Sequence, residues 1–94
     1  MMNSDNMKLI LAIIPDADRE SILNALLKAN FHVTCIASTG GFLRRGKATL
    51  LMGVEKEMVQ DAIQLIREHS TPAIDPELKR AVIFVLKVDS FDQL

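Results

Sequence analysis

The chain has 94 residues, 49% of them hydrophobic, with a formal net charge of −1 and a single cysteine. This length holds one domain. The charge balance argues against a general binder of nucleic acid or of a membrane surface, and the lone Cys35 excludes an intramolecular disulfide and fits a reducing, cytoplasmic compartment. A domain of this size buries only about 60–65% of its unfolded surface, so the heavy apolar load points to a partner surface.

Residues 1–7 read as a polar leader, open to disorder, with Met7-Lys8 an alternative start, and 8–94 as one domain. The leader has no basic region and no apolar signal core, and the longest apolar run, Leu9 to Ile14, is too short to span a bilayer. Lys8 to Ile14, closed by Pro15-Asp16, predicts a first strand. Asp18 is placed to N-cap a helix in which Ile22, Leu23, Leu26 and Leu27 form one apolar face and which Asn30 closes. Phe31 to Ser38, partly β-branched, predicts a second strand, and the glycine-rich, basic stretch Thr39 to Lys47 a loop. Ala48 to Val54 predicts a third strand. Glu55 to His69 predicts a second helix, with Met58, Val59, Ala62, Ile63 and Ile66 on one face and Glu55 and Glu57 in a first turn that suits the helix dipole. Thr71 to Lys79 is a short linker, Ala81 to Val88 a fourth strand, and Asp89 to Leu94 a tail.

The order β-α-β-β-α-β defines an α+β, ferredoxin-like sandwich: a four-stranded antiparallel sheet with two helices on one face. The opposite face should be polar in a monomer. Here Leu9, Leu11 and Ile13 alternate with Ile10, Ala12 and Ile14, and Val82, Phe84 and Leu86 alternate with Ile83 and Val85, so both faces of the first and last strands are apolar. No loop is long enough to cover the helix-free face, and the simplest cover is another copy of the chain.

No catalytic constellation assembles. Cys35, mid-strand, reads as a small buried hydrophobe rather than a reactive thiol. His32 and His69 lack a second ligand at metal spacing. Asp16 and Asp18 read as turn and cap residues, and Glu55, Glu57 and Asp61 as a solvated helix face. The expectation is a binding protein, not an enzyme, with no metal site. The informative stretch runs from Ala37 to Thr49: glycines that let backbone amides turn outward, Arg44, Arg45 and Lys47 as cations, and Phe42 and Leu43 as apolar side chains between them. Such a mixture suits a planar base with phosphates. It equally suits a hairpin with Phe42 tucked under a neighbouring subunit. The spacing of a P-loop is absent.

The segments Asn30-Phe31-His32-Val33-Thr34, Ala37-Ser38-Thr39-Gly40-Gly41-Phe42-Leu43-Arg44 and Thr49-Leu50-Leu51-Met52-Gly53-Val54 resemble those of the PII-like cyclic di-AMP receptors. So do the opening Met7 to Ile13 and the closing Val82 to Leu86 with Val88 to Gln93. The resemblance implies a bacterial signalling protein: a homotrimer with sheets inward and helices outward, cyclic di-AMP in clefts between subunits, and a downstream protein partner. By residue-wise carry-over, Asn30, His32 and Thr34 meet the ligand with polar groups, and Thr39, Gly40, Gly41 and Arg44 belong to the ligand loop. Phe42 and Leu43 wall the adenine, Gly53 allows close approach, and Phe84 and Gln93 close the pocket. Three departures stand out. His32 replaces the usual arginine, Lys47 the usual asparagine, and the Thr71–Lys79 linker is much shorter than the family's loop. An imidazole is shorter than a guanidinium and mostly neutral at pH 7. Two alternatives therefore stay open: a PII-like trimer for another adenine nucleotide or an anion, and a ligand-free trimeric scaffold for a protein partner.

Overall fold

The computed structural model describes residues 6–38, 46–70 and 81–88. Within them run β1 (Met7–Pro15), α1 (Arg19–Lys28), β2 (Val33–Ser38), β3 (Lys47–Glu55), α2 (Val59–Glu68) and β4 (Val82–Lys87), the order expected for a ferredoxin-like α+β chain. The four strands form one antiparallel sheet in the order β2-β3-β1-β4. The two longest strands, β1 and β3, lie in the middle, and the two short ones form the edges.

Alternation decides which side chains meet the helices. Ile10, Ala12 and Ile14 of β1 and Ala48, Leu50, Met52 and Val54 of β3 are buried with Ile22 and Leu26 of α1 and Val59, Ala62 and Ile66 of α2. Fully burying one such aliphatic side chain contributes about 1.5–3 kcal/mol, so this single layer supplies most of the chain's own stability. The second half repeats the first at a constant offset, Lys47–Glu55 standing for Met7–Pro15 and Val59–Glu68 for Arg19–Lys28. The backbone agrees closely: Pro15 (φ −60, ψ 137) matches Glu55 (φ −68, ψ 147), and Asp18 (φ −96, ψ −2) matches Met58 (φ −97, ψ −1).

Both strand-to-helix joints are single 3₁₀ turns, Asp16–Asp18 and Lys56–Met58, and these revise the expected helix starts. Asp18 occupies the N-cap position but has helical backbone angles and makes no side-chain cap hydrogen bond. It is buried instead. Glu55 ends β3 rather than opening α2, whose first turn carries Asp61. Two residues assigned to apolar helix faces stay out of the core: Leu27 is 54% and Met58 37% exposed. Met58 belongs to the 3₁₀ turn ahead of α2, and Leu27 lies in the last turn of α1. β1 starts at Met7, which is buried, and β2 starts only at Val33.

Phe31 is spent on the end of α1. Ala29 is the C-cap, and Asn30 follows at φ 68, the one non-glycine residue with positive φ among the described residues. The Asn30 amide donates to the Leu27 carbonyl (3.0 Å) and the Phe31 amide to the Leu26 carbonyl (3.0 Å). These are the two bonds of a Schellman motif, accompanied by its usual hydrophobic contact: Phe31 and Leu26 belong to one buried cluster.

Candidate functional site

The helix-free face of the sheet is apolar, half-buried along most of β1 and β3 and exposed along β4 among the described residues. One row of paired residues crosses it from edge to edge: Thr34 on β2 with Leu51 on β3, Leu51 with Leu11 on β1, and Leu11 with Phe84 on β4. A second row holds Gly53, Leu9 and Leu86. Val33 pairs with Met52, so the register continued by one residue puts His32 beside Gly53. On this face Phe84 is 47%, Leu86 46% and Val82 38% exposed. Phe84 is therefore no core residue of the single chain, and neither is Cys35, which is exposed on the edge strand with its Sγ directed at the Ala37 carbonyl (3.5 Å). The expectation of a buried cysteine fails because β2 is an edge that the helices barely reach.

The carried-over residues thus fall into two groups. Asn30, His32, Thr34 and Gly53 gather at the β2 edge, all exposed. Phe84 stands at the opposite edge, three strand spacings or about 14 Å away. Thr39, Gly40, Gly41, Phe42, Leu43, Arg44 and Gln93 lie outside the described residues, as does the Thr71–Lys79 linker.

Gly53 merits a closer look. A Cβ built on it would meet the Met7 Cε at 3.7 Å, an ordinary contact, and its φ is not in the left-handed region. A glycine in a strand interior costs roughly 0.5–1 kcal/mol relative to alanine. Among the described residues nothing crowds a Cβ at this position.

At the other end of the sheet, Asp16 ties three elements together. Its main-chain amide donates to the Gly46 carbonyl (2.9 Å), the Ser38 hydroxyl donates to its Oδ1 (3.1 Å), and Arg19 Nε lies 3.6 Å from the same oxygen. These contacts were not legible in the sequence, because Ser38 and Asp16 are far apart along the chain and the residue types alone read as turn and strand end. Among the described residues, no group of three or more His, Cys, Asp or Glu side chains could hold a metal ion, and no helix is long and apolar enough to cross a membrane.

A four-stranded sheet in this order with two helices on one face is the ferredoxin-like architecture, and a similar solved PII structure places the chain in the PII-like class. A protein of unknown function from Pediococcus pentosaceus is similar at 28% identity and a TM-score of 0.75, covering 96% of this chain and 99% of its own. Arabidopsis thaliana PII bound to citrate is similar at 26% identity and a TM-score of 0.70, covering 92% of this chain and 85% of its own. A DUF3240 family protein from Shewanella baltica shares the fold alone, at 10% identity and a TM-score of 0.65, with 99% of each chain covered. Residues 7–73 match the model of the cyclic-di-AMP receptor family, and the chain belongs to that family.

Proposed function

We propose that this chain is a non-enzymatic receptor that binds cyclic di-AMP in clefts between the subunits of a homotrimer and passes the signal to a downstream protein. The observation that carries the reading is the separation of the candidate residues onto the two edges of the sheet, in a chain of the cyclic-di-AMP receptor family. One chain holds Thr34 and Phe84 about 14 Å apart on one face. Two copies packed through that face bring the β2 edge of one near the β4 edge of the next, so a cleft between them can use both groups. The apolar row Leu51-Leu11-Phe84, half-buried at Leu51 and Leu11 and exposed at Phe84, gives the copies a reason to associate, since exposed apolar patches mark interaction surfaces.

In this reading Asn30, His32 and Thr34 supply polar groups, and Gly53 leaves room for the ligand beside them. Thr39, Gly40, Gly41, Phe42, Leu43 and Arg44 form the ligand loop, and Phe84 and Gln93 close the cleft from the neighbouring copy. A specific observation favours a second reading. His32 stands exposed beside Gly53 where an arginine fork would hold phosphate, and one similar structure is of a PII bound to citrate. Another adenine nucleotide or a small anion is therefore the alternative ligand.

Isothermal titration of the purified protein with cyclic di-AMP, against ATP, cyclic di-GMP and citrate, tests both. Selective heat with cyclic di-AMP near one ligand per subunit is expected. Heat with ATP or citrate alone would replace the first reading by the second. No heat with any of them, from protein that light scattering shows to be trimeric, would leave a scaffold.

A further inference from the structure

We infer that Asp16 is a positioning residue: it holds the end of β2 and the start of β3 in fixed relation, and so sets where the chain leaves the sheet at Ser38 and re-enters it at Gly46. The inference rests on the reading above for its ligand arm only. Its geometric basis is independent of any ligand.

β2 is the strand with an irregular ladder among the described residues. It lies at an edge, and its register against β3 shifts between Cys35 and Ala37, so that Ile36 is an extra residue. A bulge bends its strand and disrupts the ladder locally. Thr34 lies before the bulge and Ser38, paired with Ala48, after it, so the bulge separates the two stretches of ladder. Asp16 adds a second hold beyond the bulge. It follows β1 directly, and β1 is paired on both sides by β3 and β4. From that central strand its carboxylate accepts the Ser38 hydroxyl and its main-chain amide holds the Gly46 carbonyl, so one residue ties both strand ends to the most firmly held element. Arg19, on the first turn of α1, keeps the carboxylate turned this way, and the side chain of Asp16 is only 14% exposed. The equivalent position in the second half is Lys56, so the device belongs to the first half alone and is not a requirement of the fold.

Two variants that remove the side-chain tie, Asp16→Ala and Ser38→Ala, and their double test the idea, with Asp16→Asn as the conservative rescue because it keeps an Oδ1 acceptor. Titration with cyclic di-AMP is expected to show about fivefold weaker binding for each alanine variant, no further loss in the double, and near wild-type binding for Asp16→Asn. Thermal midpoints should stay within a few degrees of wild type, because the tie joins exposed ends rather than core. Amide hydrogen exchange on the ligand-free protein gives the second arm: Ala37 and Ser38 should exchange faster in both alanine variants, while Ile10 and Ala12 are unchanged. Additive losses in the double, or exchange at Ala37 and Ser38 equal to wild type, would overturn the assignment. If the wild type binds no cyclic di-AMP, the ligand reading falls and the exchange arm still decides the role of Asp16.

Discussion

Asn30 lets structure and binding be separated at one position. It sits at φ 68, where its amide donates to Leu27 and the next amide to Leu26. A residue with a Cβ in this conformation is disfavoured by about 1–2 kcal/mol, whereas asparagine is tolerated and glycine has no penalty. Asn30→Ala should therefore destabilise the fold by about 1 kcal/mol, and Asn30→Gly should leave it close to wild type. In a domain of this size 1 kcal/mol moves the melting midpoint by about 4–8 °C, readily resolved by calorimetry at fixed protein concentration, which matters because association makes the midpoint concentration-dependent. If the side-chain amide also meets the ligand, Asn30→Gly should fold normally and bind cyclic di-AMP at least about tenfold more weakly, the effect of losing a buried polar contact of about 1.4 kcal/mol. An alanine variant as stable as wild type would refute the backbone argument. A glycine variant with unchanged affinity would reduce Asn30 to a helix stop.

Gly53→Ala should fold as well as wild type or slightly better, since among the described residues the new methyl meets only Met7 Cε at 3.7 Å, yet titration should show weaker ligand binding; unchanged affinity would mean that nothing outside the chain approaches this glycine. His32→Arg should tighten cyclic di-AMP binding several-fold by restoring a charged fork; an unchanged or lower affinity would remove His32 from the phosphate. Leu11→Lys places a cation in the middle of the apolar row on the helix-free face, and light scattering should then report monomer in place of trimer; an intact trimer would move the interface to another surface.

The sequence made the architecture legible because the signals there are local and repeated. Alternation in Lys8–Ile14 and Ala48–Val54, and helical spacing in Ile22–Leu26 and Val59–Ile66, each recur over several residues and agree with one another. It also exposed the conflict that matters most: strands apolar on both faces in a fold with helices on one. What escaped it depends on position in the sheet rather than on residue type. Cys35 looks like a core residue and is exposed because β2 is an edge strand, and Phe84 is exposed because it lies on the helix-free face, both of which follow from pairing between distant segments. The 3₁₀ joints escaped because Asp18 has the residue type of a cap without its backbone geometry. Asn30 was legible as a helix end, but its left-handed conformation follows from Phe31 turning back into the core.

The placement of the site ties ligand binding to association. If the cleft needs the β2 edge of one copy and the β4 edge of the next, a lone chain holds only half of each site. A ligand that binds the assembled form and not the separated chains stabilises assembly by RT ln(1 + [L]/Kd), about 2.7 kcal/mol at a hundredfold excess over Kd. Reciprocity then requires that association strengthen binding by the same factor. Dilution series run with and without cyclic di-AMP should show this directly: the concentration for half-dissociation falls when ligand is present, and the apparent affinity weakens as the protein is diluted toward monomer. Affinity independent of protein concentration across the dissociation range would place the whole site within one chain, and the apolar face would then owe its exposure to some other partner.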